Sequence, residues 1–207
     1  MTVRAARTFI LNYYRGAAVK WNDFDKVNTT PITVKTGQAD PEWEKVRSQE
    51  PNTWKDTTLK AAAKEFAQLV EAQRTAFSGK AANPDFESKA LNSAIMSAWA
   101  FVAGMLHDNS SRLKRHFALK TPKSKDPLNA AALAKGRHKT DADNYRGLGY
   151  RTDSKERGRF VELFYLQAES GAGITPSLID LAIKQYHAKL AQLEVAAAKD
   201  KASDAGS

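Results

Sequence analysis

Cysteine is absent from this chain of 207 residues. Its absence excludes disulfide bonds, zinc–thiolate sites, iron–sulfur clusters and cysteine nucleophiles. A basic chain without cross-links is typical of a reducing compartment, so we expect a cytoplasmic protein.

Long apolar stretches are also missing. The most apolar one, residues 94–106, is interrupted by Ser97 and is shorter than the roughly 20 residues that cross a bilayer. Arg4 and Arg7 near the amino terminus are not followed by a sustained apolar region, so we expect no signal peptide. The sequence therefore predicts no association with a membrane.

Strand patterns are nearly absent, since only residues 32–34 suggest a short extended piece. Elsewhere apolar residues recur every three or four positions, the spacing that gives a helix one apolar face. We therefore predict an all-α fold, an irregular helical bundle of about six or seven helices with a long basic loop segment. An N-terminal helical part, residues 1–82, precedes a second part, residues 83–207, and the two can belong to one domain.

Four stretches give the clearest helix signals. Apolar residues spaced along residues 3–21 predict a first helix that includes Trp21, and the stretch that starts at residues 83–85 and runs to Leu106 predicts the central helix of the core. Asp153 and Glu156 have the spacing of a capping box, which predicts a helix start, and Ser170–Gly171 predicts the end of that helix. Thr175–Pro176 favours the start of the last helix.

The excess of positive charge is confined to one stretch, residues 112–159, called here the basic segment. It contains 14 Lys and Arg but only 5 Asp and Glu, a net charge of +9, whereas the rest of the chain has 18 of each sign. Charge concentrated in this way is typical of surfaces that bind polyanions, because each phosphate contact releases counterions. The alternative is a basic loop that is simply solvated.

We therefore expect a non-enzymatic nucleic-acid-binding protein or module, a component of a larger DNA- or RNA-processing or defence system with other protein subunits. Cations follow a nucleic-acid backbone and tyrosine rings stack on exposed bases. The predicted nucleic-acid-binding residues are Arg112, Lys114, Arg115, Arg137, Lys139, Tyr145, Arg146, Tyr150, Arg151, Lys155, Arg157 and Arg159.

Gly147 and Gly149 form a predicted phosphate loop within the basic segment. Glycines let backbone N–H groups approach an anion, and arginines on either side can grip it with forked donors. The spacing is not that of a P-loop or a dinucleotide fingerprint. A tight turn, with tyrosines packed on the core, is an equally good interpretation.

Two alternatives to a nucleic-acid binder stay open. His138, Asp141 and Asp143 lie close together and suggest a metal-dependent nuclease, because paired carboxylates can hold magnesium. The other alternative is a protein–protein adaptor whose basic segment binds an acidic partner.

Arg112 and His116 share a helix face, which resembles the motif of the HEPN ribonucleases, but the spacing is shorter here. We expect no cofactor and assign no catalytic residue.

Overall fold

The computed structural model describes residues 2–34, 41, 44, 56–77, 93–119, 148, 152–171 and 173–204. The α-helices are α1 (Val3–Ala17), α2 (Asp56–Phe77), α3 (Ser93–Met105), α4 (Ser110–Ala118), α5 (Ser154–Ser170) and α6 (Pro176–Asp204), and a 3₁₀ helix covers Trp21–Lys26. The described residues contain no strand, so the all-α prediction is confirmed for this part of the chain.

The centre of the fold is α3, as the sequence predicts. Every residue from Ala94 to Met105 is buried, and α3 packs against α1, α2, α4 and α5. The main core cluster includes Phe9 and Leu69 from the predicted N-terminal part and Trp99 from the second part. The two predicted parts therefore share one hydrophobic core, and the boundary between them, at residues 82 and 83, lies outside the described residues.

Two glycines allow α1 and α3 to touch along their backbones. A methyl group on Gly16 would overlap the carbonyl oxygen of Phe101, and one on Gly104 would overlap that of Tyr13. Thr8 and Ser97 line the same cavity near the amino ends of α1 and α3, so the two helices run parallel. Their carboxyl ends therefore lie together.

The chain leaves α1 earlier than the sequence predicts. The helix ends at Ala17, and Trp21 opens the 3₁₀ helix instead of continuing the apolar face of α1. Residues 28–34, called here the strap, then run back along α1. Side chains of α1 bind this extended backbone. Arg15 donates to the carbonyl of Thr30, and Arg4 donates to the carbonyl of Val34. Thr8 accepts from the N–H of Val34, and Asn12 bonds both the carbonyl and the N–H of Ile32.

Capping residues set the ends of α5 and the start of α6 as predicted. Asp153 accepts a hydrogen bond from the N–H of Glu156 at 3.0 Å, and Gly171, with φ of 67°, ends α5. Thr175 accepts from the N–H of Leu178 and precedes the first residue of α6. No helix among the described residues is both long and apolar enough to cross a membrane.

Candidate nucleic-acid interface

Six of the predicted nucleic-acid-binding residues belong to the described part of the chain. Arg112, Lys114 and Arg115 lie on α4, and Lys155, Arg157 and Arg159 lie on α5. Arg137, Lys139, Tyr145, Arg146, Tyr150 and Arg151 lie outside the described residues, together with Gly147 and Gly149 of the predicted phosphate loop. The predictions for those eight residues stay predictions.

One position of the predicted loop is described. Leu148 is fully buried and belongs to the main core cluster. The basic segment therefore has an apolar contact with the body of the protein between its two helical ends. The predicted metal ligands His138, Asp141 and Asp143 lie outside the described residues, and the described residues contain no cluster of acidic and histidine side chains placed to hold a metal.

Arg115 binds the carboxyl end of α5. Its Nη1 donates to the carbonyl oxygens of Ala168 at 3.3 Å and Glu169 at 2.7 Å. Gln167 donates back to the carbonyl of Arg115 at 3.3 Å. A cation is favourable there because the last carbonyls of a helix have no partner within it and carry partial negative charge. Arg115 thus holds α4 to α5 while remaining exposed.

Arg112 lies at one end of a stack of rings and cations. Its guanidinium carbon is 4.2 Å from the ring centroid of Trp21, which stacks on Tyr165 at 4.3 Å. Tyr165 stacks on Phe24 at 3.7 Å with an interplanar angle of 2°, and Nζ of Lys189 lies 3.6 Å from the Phe24 centroid. Burial raises the pKa of Tyr165 to about 12, so its hydroxyl stays neutral. The stack joins α4, the 3₁₀ helix, α5 and α6.

Arg157 binds the strap at the opposite end of α5. Its Nε donates to the carbonyl of Pro31 at 2.8 Å, and its Nη1 donates to the carbonyl of Thr152 at 2.9 Å. Partial burial lowers the pKa of Arg157. The side chain is half-buried and has both a structural partner and a solvent-facing part.

The structure removes Arg159 from the predicted surface. The side chain is completely buried. Its Nη2 lies 2.9 Å from Nε2 of His187, and its Nη1 lies 3.6 Å from Oε2 of Glu156. The prediction of a surface cation misses this because the sequence does not show which face of α5 meets α6. Arg159 connects these two helices in the interior.

A second pair of charges is buried beside it. Nζ of Lys189 lies 4.0 Å from Oε2 of Glu162 and donates to Oγ1 of Thr29 at 2.9 Å. Among the described residues, Oε2 of Glu162 accepts no hydrogen bond. Burial raises the pKa of Glu162 and lowers that of Lys189, and each charge partly offsets the effect on the other. The pair fixes α6 to α5 and to the strap.

His116 is a core residue. It is fully buried, stacks on Trp99 with ring centroids 3.7 Å apart, and has Nε2 3.2 Å from the Trp99 carbonyl oxygen. Arg112 lies over Trp21 instead, so the two residues do not form a shared exposed site. The arginine–histidine idea from the sequence has no support in this arrangement.

Four cations in the described part of the basic segment, each exposed or half-buried, lie near the two ends of α5. Lys114 and Arg115 are at its carboxyl end, through the contact of Arg115 with Glu169, and Lys155 and Arg157 are in its first turn. Residues 157 and 169 are separated by about 18 Å along the helix axis, at about 1.5 Å for each residue. These four cations therefore form two clusters along one rigid element.

Three aromatic residues near this surface were not assigned to it from the sequence. Trp21, Phe24 and Tyr165 come from two distant parts of the chain, and periodicity predicts only that each is apolar. A signal was present in the sequence WNDF after Lys20, because two rings three residues apart on a short helix share one face.

Comparisons of the chain with protein-family models, curated proteins and solved structures find no match.

Proposed function

We propose that the protein binds nucleic acid and does not cleave it, acting as a module of a larger DNA- or RNA-processing assembly. The observation that carries the proposal is the charge distribution, with the whole net charge of +9 inside residues 112–159. Such a concentration favours a phosphate backbone as the partner, because counterions released from it increase the affinity.

The two clusters of cations on α4 and α5 support the proposal. Lys114 and Arg115 are separated from Lys155 and Arg157 by about 18 Å, the rise along α5 from residue 157 to residue 169. This length corresponds to roughly five base-pair steps at about 3.4 Å each. A nucleic acid long enough to span this distance would meet both clusters.

The experiment is a mobility-shift panel with single- and double-stranded DNA and RNA, with and without magnesium. We expect retarded complexes that weaken as salt is raised, and intact nucleic acid after recovery. Absence of binding on every probe would contradict the proposal. Cleavage that requires magnesium would favour the nuclease with Asp141 and Asp143 instead.

A second candidate function is assembly with another protein through the end of α6. Residues 191–204 are helical and exposed, except for the half-buried Leu193, and Val195 is 55% exposed. A helix without tertiary contacts is marginally stable in water, so a protein partner on this end would stabilise it. Light scattering of the full chain and of a chain ending at residue 190 tests this candidate. Because a second copy of the chain is one such partner, we expect the full chain to form a dimer or a larger species and the shortened chain to stay monomeric. Monomers in both samples would contradict this candidate.

A further inference from the structure

The stack on Tyr165 has an open end and a closed end. Phe24 and Lys189, at the inner end, are 1% and 6% exposed, so no further group can join there. Trp21 and Arg112, at the outer end, are only half-buried. The guanidinium of Arg112 is planar, and such planes are surfaces on which nucleic-acid bases stack. Among the described residues of the stack, the end that reaches solvent is therefore the one at Arg112, where a further ring can be added.

A depression of about 270 Å³ lies beside the outer end of the stack, where the carboxyl ends of α1 and α3 meet. Trp21 lines it and therefore belongs to both features. Val19 and Trp21, which are both half-buried, supply apolar wall, whereas Lys20, His107 and Asp108 supply polar groups. The three polar side chains are exposed, so they form the rim.

The chemistry of the depression suits one nucleotide. Its volume is just below the roughly 300–1,000 Å³ of pockets for larger small molecules. Apolar walls accept the flat face of a base or its sugar, and the carboxylate of Asp108 can accept from a base amino group. Lys20 can contact the phosphate. The negative charge of Asp108 would repel a phosphate ion, so the depression does not suit a ligand that is phosphate alone.

We propose that Arg112 and this depression bind an unpaired nucleotide of a single-stranded nucleic acid, with the base stacked on the Arg112 guanidinium and the phosphate beside Lys20. Bases inside a duplex have both faces covered by their neighbours and cannot stack in this way. The inference rests on the proposed function and gives it a preference for single strands.

The test compares a labelled oligothymidylate with the duplex that it forms with oligoadenylate. Arg112→Lys keeps the positive charge and removes the planar surface. We expect it to weaken binding of the single strand about tenfold, to leave duplex binding unchanged, and to leave the salt dependence unchanged. Lys20→Ala, a change at an exposed side chain, is a second variant that should also weaken the single strand more than the duplex.

Lys114→Ala is the matched control, because Lys114 is exposed on the same helix. It should weaken both probes similarly and lower the log–log salt slope by about one unit. Equal losses on both probes for Arg112→Lys and Lys20→Ala, or no loss for either, would overturn the inference. Binding of the duplex alone by the parent would overturn only this inference, whereas binding of neither probe would overturn the proposed function as well. Circular dichroism of each variant checks that it is folded.

Discussion

Arg159 and His187 are hydrogen-bonded in the interior, with 2.9 Å between Nη2 and Nε2. A guanidinium has only donors, so Nε2 of His187 is the acceptor and the ring proton is on Nδ1. The imidazole is therefore neutral in this arrangement. One of the cations that would suit a phosphate is thus used to join α5 to α6.

Replacing Arg159 by leucine should destabilise the protein by about 3–5 kcal/mol. The change removes a buried guanidinium that lies 3.6 Å from the buried carboxylate of Glu156, and a buried charge that loses its partner is costly. Urea denaturation followed by circular dichroism measures the free energy of unfolding. Lys155→Ala, at an exposed position four residues earlier, should change it by less than about 0.5 kcal/mol. Similar values for the two variants would contradict the role given to Arg159.

The stability of the protein should depend on pH through Glu162. Burial raises its pKa from 4.5 to about 7. Because the folded pKa lies above the ordinary value, the stabilisation from proton uptake is complete below about pH 4.5 and is lost as the pH rises through about 7. The free energy of unfolding, relative to that of Glu162→Gln, should therefore fall by roughly 1–3 kcal/mol between about pH 5 and 7.

The measurement for Glu162 is a series of urea denaturations across that pH range. Lys189 should contribute little to the slope there, because burial lowers its pKa only to about 8, so it stays protonated over most of the range. Glu194→Gln changes an exposed glutamate on the same helix as Lys189 and should reproduce the profile of the parent. A parent profile that runs parallel to that of Glu162→Gln would show that the carboxyl does not titrate in this range.

Gly104→Ala should separate α1 from α3. The added methyl group would overlap the carbonyl oxygen of Tyr13, and backbone atoms cannot move aside as a side chain can. Overpacking of a tight core costs about 1–3 kcal/mol, and a backbone clash belongs at the upper end. Thermal unfolding of Gly104→Ala and of Gly16→Ala, which meets the carbonyl of Phe101, should show comparable losses. A parent-like melting temperature for both would contradict the close crossing.

The sequence predicts the local parts of this fold well. The cap at Asp153, the helix end at Gly171 and the start of α6 after Thr175 depend on residues a few positions apart, and all three predictions are confirmed. The central position of α3 follows from its apolar composition, because a helix with few polar side chains has no polar face to turn towards solvent and is therefore buried.

The parts that the sequence does not predict depend on distant pairs. Arg157 bonds Pro31 across 126 positions, and Lys189 bonds Thr29 across 160. Periodicity predicts that Trp21 continues the first helix, whereas in the structure it lies on a separate 3₁₀ helix and stacks on Tyr165. The same limit applies to the candidate site. A basic segment can be recognised from its composition, whereas the burial of Arg159 follows only from the packing of α6.

The salt dependence of nucleic-acid binding tests the central claim most directly. Equilibrium association constants of the parent, of Lys114→Ala/Lys155→Ala, and of Lys199→Ala/Lys201→Ala should be measured by fluorescence anisotropy at several salt concentrations. The first variant removes two exposed cations of the basic segment, and the second removes two exposed cations at the far end of α6. We predict a steep slope for the parent, a slope lower by about two units for the first variant, and a parent-like slope for the second. Equal slopes for all three proteins, or a parent slope near zero, would contradict a nucleic-acid interface at the basic segment.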